Sequence, residues 1–199
     1  NSPELFIDWI NKEPDSGTPY IAAGLGYRKK AWQARGGSWA YEVPAEKWQV
    51  FYKNLEKAMN ALKEAEKRNT PDPHIYSLYI SMEKARSADI AKLLEYFKNG
   101  KEIWSGYLPV YREMVFALLE RWAGRPGELV SFVSWQAEEN DKLYARLSKY
   151  TFNYSGMKYA NRYNFSYEKL KAGFRGLIED YSGLDFQHWL CFSACVYRD

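Results

Sequence analysis

The sequence predicts an all-α chain of antiparallel helix pairs stacked side by side, and three observations carry that prediction. Apolar residues recur at i, i+3, i+4 and i+7 in segment after segment. Proline and glycine stand where such segments begin and end, and no apolar strands alternate between them. About eight or nine helices joined by short turns fill the chain. It reads as a single domain, 1–199, with 1–35 as an N-terminal helical cap.

Taken in order, Ser2-Pro3-Glu4 starts a short helix, and Thr18-Pro19 starts a second that runs toward Arg35, where Gly36-Gly37 ends it. Trp48, Phe51, Tyr52, Leu55, Met59 and Leu62 form the stripe of a long helix from about Pro44 to Arg68. Ile90, Leu93, Leu94 and Phe97 repeat the pattern after Ser87, a suitable N-cap, and Gly100 is placed to stop it. The clearest stripe is Tyr111, Met114, Val115, Leu118, Leu119 and Trp122, opened by Pro109 and closed by Gly124. Leu129, Phe132 and Val133 begin another helix after Pro126, with Glu128 in the first turn, where the helix dipole favours an anion. Tyr167, Leu170, Phe174, Leu177, Ile178 and Tyr181 make one stripe near the end, and Phe186, Trp189, Leu190 and Ser193 make another after Gly183. Only Tyr150, Phe152 and Tyr154 alternate with period two. Followed by Ser155-Gly156, they read as a short hairpin arm or a long aromatic loop near 150–165.

Composition excludes several classes. Hydrophobic residues make up 46% and charged residues 27%, so the whole chain is expected to fold. Its charge-free stretches fall far short of the roughly 18 to 20 apolar residues needed to span a bilayer. A net charge of +3, interspersed through most of the chain, is not the footprint of a dedicated DNA binder. Two cysteines cannot staple a disulfide scaffold, and Cys191 and Cys195 are expected to be reduced and packed. A start at Asn1 rather than Met reads as a processed or trimmed chain, which leaves the compartment open. The unusual value is 18% aromatic, which calls for interlocked helices or a binding surface.

Several segments together resemble a bacterial tetratricopeptide-like helical-repeat family, a domain of unknown function. They are Arg35-Gly-Gly-Ser-Trp39-Ala-Tyr-Glu-Val43, Trp48 with its long helix, Pro71-Asp72-Pro73, Leu118-Leu-Glu-Arg121-Trp122-Ala-Gly124, and Glu128-Leu-Val-Ser-Phe132. Asp141-Lys-Leu-Tyr144-Ala-Arg and the closing Cys191-Phe-Ser-Ala-Cys195 helix resemble it as well, so the similarity spans 30–199. Where the family carries a Gly-Gly-Ser-like turn after the Arg-Trp pair, this chain has Ala123-Gly124-Arg125-Pro126. The resemblance implies a right-handed TPR-like stack that presents a concave face to another protein, in a bacterial cytoplasm or periplasm. It brings no catalytic residue, and it makes Arg35, Trp39, Trp48, Arg121 and Trp122 structural-motif positions. Arg35 and Arg121, each preceding an aromatic in these motifs, are read as internal cation-π or carboxylate contacts.

Residues that could carry chemistry are few. His188, Cys191 and Cys195 share one helical face, which suggests a partial soft-metal site or a thiol with its base. A fourth ligand and an oxyanion hole are both lacking in the sequence, so packed-core or semi-exposed thiols are the favoured reading and no metal, cofactor or catalytic residue is assigned. Gly24-Leu-Gly26 lies in a helix without a preceding strand, outside the context of a dinucleotide fingerprint. Glu42, Glu113, Glu120, Glu138 and Glu139 read as solvated helix faces.

The most informative segment runs from Lys142 to Tyr167 without one Asp or Glu, with basic residues interleaved among tyrosines. Lys149, Tyr150, Tyr154, Lys158, Tyr159, Arg162 and Tyr163 are its candidate partner-binding residues. Positive charge on rigid aromatic area suits an acidic protein surface. The expectation is therefore a non-enzymatic protein-interaction module, in one version an immunity or inhibitor protein that neutralises a bacterial toxin or effector. A hydrolase-type enzyme with an interhelical pocket is the alternative, and a single-stranded nucleic-acid binder ranks third. The bland reading is an elaborated loop whose tyrosines cover the last helices.

Overall fold

The structure, a computed structural model, describes residues 4–68, 71–87 and 89–197. Ten α-helices and two short 3-10 helices account for the regular structure among these residues, with no strand. Two compact units form, Asn1–Val110 and Tyr111–Asp199. Ser2 and Pro3, expected to open the first helix, lie outside the described residues.

The first unit contains α1 (Glu4–Lys12), α2 (Thr18–Arg35), a 3-10 turn at Ala40–Glu42, α3 (Ala45–Glu66), α4 (Pro73–Ala85) and α5 (Ile90–Ile103). Its core joins Ile21 and Ala31 to Phe51, Leu55, Met59 and Leu62, and to Ile75, Leu78 and Met82. Small residues let α2 and α3 approach closely. A Cβ on Gly24 would lie 2.8 Å from Leu62 Cδ2, so Gly24 serves helix packing. Gly36, with φ of 76°, ends α2 as its sequence position predicts, and its N–H donates to the Trp32 carbonyl.

Two expected boundaries of α5 are corrected. Its N-cap is Asp89, whose carboxylate accepts from the Ala91 N–H, while Ser87 sits in the left-handed region at φ 59°. Gly100 does not stop the helix. It is buried within α5, where a Cβ would lie 2.9 Å from Val110 Cγ2 and 3.1 Å from the Cβ of Tyr76. Tight packing, rather than termination, is what requires glycine there.

The helix α6 (Leu108–Ala117) opens at Pro109 and ends before the expected Leu118 to Trp122 stretch, which turns back so that the Ala123 N–H reaches the Ala117 carbonyl at 3.0 Å. The second unit continues with α7 (Glu128–Gln136), α8 (Asp141–Ser155), a 3-10 segment at Met157–Arg162, α9 (Tyr167–Asp180) and α10 (Asp185–Tyr197). The hairpin or long loop expected near 150–165 is overturned. Tyr150, Phe152 and Tyr154 lie in the last turns of α8, and the period-two alternation of aromatics is a coincidence on a helix whose stripe begins at Tyr144 and Leu147.

Aromatic stacking organises this unit. Phe152 is fully buried, with Trp189 stacked on it at 5.8 Å and Phe165 and Phe192 meeting it edge-on at 5.6 and 5.5 Å. Much of the aromatic excess is thus interior. Among the described residues, no helix is long and apolar enough to cross a membrane.

Candidate interaction site

Gly156, at φ 90°, ends α8 and turns the chain into the 3-10 segment Met157–Arg162. Its conformation is one that L-residues with side chains avoid, so the turn depends on glycine. The segment is held from beneath. Ala160 is buried, and its carbonyl accepts from the Tyr197 hydroxyl at 2.6 Å. Phe165, also buried, wedges between Tyr144 and Phe152, while the Tyr144 hydroxyl accepts from the Ser166 N–H at 2.9 Å. Anchoring on both sides presents the outer residues on a fixed backbone.

Those outer residues are Lys158, Tyr159 and Arg162. Lys158 Nζ lies 4.8 Å, and Arg162 Cζ 4.4 Å, from the centroid of the Tyr159 ring. Hydrogen bonding to the Lys158 ammonium, with Arg162 adding to it, holds the Tyr159 hydroxyl below the usual tyrosine range.

Of the other expected partner-binding residues, Lys149, Tyr150 and Tyr154 face elsewhere, and Tyr163 lines the cleft described next. Lys149 pairs with Asp185 of α10 and lies 5.0 Å from the Phe186 ring. Burial pushes the Tyr150 hydroxyl up. Tyr154 stacks on Phe116 at 4.4 Å, and Tyr163 on Phe165 at 5.9 Å. Of the candidate set, Lys158 and Arg162 are exposed, with Tyr159 half-buried between them.

A cleft of about 740 Å³ opens beside this segment, between it and the turn that follows α6. Buried Leu118, Leu119 and Leu129 line its depth. Arg121, Arg125, Arg162, Tyr159 and Tyr163 line it as well, with Glu120 as the lining carboxylate. None of the three guanidiniums forms an ion pair with a carboxylate among the described residues, while the Arg125 backbone N–H donates to the Glu128 carboxylate at 2.8 Å. Nothing in the sequence singles out Arg125, which lies with Arg121 in the turn between α6 and α7, where helical spacing places no two side chains together.

The motif residues make internal contacts. Arg35 reaches the carbonyls of Gly36 and Ser38, and its guanidinium lies 5.4 Å from the Trp48 ring centroid. Arg121 donates to the Tyr154 carbonyl at 2.6 Å and lies 5.6 Å from the Phe116 ring, which Trp122 meets edge-on. Trp39 is 72% exposed; its backbone N–H, not its ring, is tied down, to the Glu42 carboxylate.

Cys191 and Cys195 are free and exposed, which corrects the expectation of packed thiols. Their face of α10 points away from the side that buries Trp189 and Ser193. Among the described residues, no cluster of three or more His, Cys, Asp or Glu could hold a metal ion. His74 Nδ1 lies 3.2 Å from Ser77 Oγ and 3.0 Å from the Tyr107 hydroxyl. The buried Ser77 hydroxyl donates to the His74 carbonyl at 2.8 Å within the same helical turn, a structural arrangement rather than an activated nucleophile. Compared with protein-family models, curated proteins and solved structures, the chain has no match.

Proposed function

We propose that this chain is a non-enzymatic protein-interaction module that binds an acidic-faced partner through Lys158, Tyr159, Arg162 and the cleft beside them. The observation that carries the reading is the set of arginines lining that cleft whose guanidiniums form no ion pair with a carboxylate among the described residues. Like charges gathered in one cleft repel each other, and a bound acidic surface relieves that repulsion. The anchored 3-10 segment adds rigid aromatic area, so little ordering entropy is lost on association.

Consecutive helices pack as pairs, α2 on α3, α4 on α5, α8 on α9 and α9 on α10. That pairing supports the reading of a TPR-like stack, and membership of the bacterial family rests on the sequence motifs that resemble it. An immunity or inhibitor protein that neutralises a toxin or effector is the specific version we favour, because such a binder needs a fixed anchor and a charged rim.

The test is an affinity capture from the native source, read by mass spectrometry, with wild type beside a Lys158→Glu, Arg162→Glu variant of unchanged thermal stability. One stoichiometric protein held by wild type and lost by the variant is the expected result. Capture of nothing by either, or of the same protein equally by both, overturns the reading.

A further inference from the structure

We infer that the cleft takes an extended acidic peptide segment of the partner, two or more carboxylates flanking one leucine-sized side chain. This inference rests on the protein-interaction reading above and names the chemistry that the site recognises.

Charge comes first. Three arginines line the cleft against a single lining carboxylate, Glu120, while the Glu128 carboxylate accepts from the Arg125 backbone N–H at 2.8 Å. A guanidinium is a planar fork of five N–H donors that matches a carboxylate with two parallel hydrogen bonds. Arg121 commits one nitrogen to the Tyr154 carbonyl, which fixes its direction and leaves other donors in hand. Arg125 and Arg162 are exposed and able to close on a bound anion.

Shape comes second. The depth is aliphatic, built from Leu118, Leu119 and Leu129, and it suits a branched aliphatic side chain. A volume of about 740 Å³ fits a short inserted segment rather than a broad folded face.

The same geometry disfavours a nucleic-acid strand. Base recognition on single strands uses free aromatic faces. Here Lys158 and Arg162 cluster over the Tyr159 ring, and Tyr163 is stacked on Phe165.

The test is fluorescence anisotropy on the full chain with a labelled Glu-Asp-Leu-Glu-Asp peptide, capped at both ends. Comparison probes are Gln-Asn-Leu-Gln-Asn, Glu-Asp-Ala-Glu-Asp and an oligothymidylate of equal charge. Saturable binding is expected, at least tenfold weaker with the neutral peptide and at least threefold weaker with the alanine peptide. Arg125→Glu and Arg162→Glu should each weaken it at least tenfold, and Arg125→Gln and Arg162→Gln should weaken it in the same order. Lys53→Glu, an exposed charge reversal on α3, should leave it unchanged. Absence of saturable binding overturns the assignment, as does an equal loss with Lys53→Glu, an unchanged affinity for the alanine peptide, or tighter binding of the oligothymidylate.

The two readings fail separately. Partner capture that depends on Lys158 and Arg162, together with a flat peptide titration, sinks the cleft assignment and leaves the module standing. Peptide binding without any captured protein sinks the module reading and leaves the cleft's chemistry in place.

Discussion

The ammonium of Lys149 on α8 meets the carboxylate of Asp185 at the start of α10 and lies over the ring of the next residue, Phe186, at 5.0 Å. The Lys149 side chain is 19% exposed, so this lysine joins two helices instead of displaying charge to a partner. Lys149→Ala should therefore cost about 1 kcal/mol of stability, the scale of a partly exposed ion pair plus a cation-π contact. Lys149→Glu should cost more by setting two carboxylates together. Urea denaturation checks both, and partner capture should be unchanged by Lys149→Ala.

Glycine at 173 is required by the closeness of α8 and α9. A Cβ there would sit 1.9 Å from the Asp141 carbonyl oxygen and 2.8 Å from the Ala145 Cβ, and neither can swing aside. Gly173→Ala should destabilise the chain by about 2–3 kcal/mol despite alanine's better helix propensity. Gly24→Ala meets mainly the flexible end of Leu62 and should cost less. Denaturation midpoints of the two variants, measured side by side, decide whether the ranking holds.

Tyrosine ionisation should spread over a wide pH range. Burial and the neighbouring Glu66 carboxylate push the Tyr76 hydroxyl up to about 12, and Tyr79, which donates to Glu66 at 2.7 Å, is pushed up as well. A free tyrosine ionises near 10, so between about 10 and 12 the native state keeps protons that the unfolded chain has released. This contribution to stability is complete below pH 10 and is lost as pH rises through 12. Phenolate absorbance should rise first from Tyr159, held low by Lys158, and Tyr159→Phe should remove that early component.

Both thiols should react with a thiol-specific reagent in the native state. Cys191 and Cys195 are exposed, so two equivalents per chain are expected to be modified without unfolding and without loss of helical circular dichroism. Slow or partial reaction that quickens in denaturant would show the thiols to be covered.

Signals confined to a few neighbouring residues were readable along the chain. Thr18-Pro19 and Gly36-Gly37 bracket α2, Pro109 opens α6, and the Tyr167 to Ile178 stripe marks α9. Where two short-range signals competed, packing chose between them. Ser87 lost the N-cap of α5 to Asp89, and Gly100 stayed inside that helix because α5 needs a residue without a Cβ beside Val110 and Tyr76. Tyr150, Phe152 and Tyr154 read as an alternation because three aromatics at every second position look alike on a strand and on a helix. The buried stripe of Tyr144, Leu147, Ser148 and Thr151, with Phe152 at its end, distinguishes the two.

The sequence by itself determined the all-helical class and most helix starts, because caps, prolines and apolar periodicity act over one or two turns. Tertiary structure alone decided which of the many aromatics and cations became interior contacts and which stayed on the surface. Lys149 and Lys158 are alike as residues, yet one is folded against Asp185 and the other stands beside Tyr159 on the anchored 3-10 segment. That division follows from which helix each side chain meets, a relation between residues far apart in the chain. The cleft is of the same kind, since Arg125 and Arg162 line one space only after α8 has ended at Gly156 and the chain has turned back.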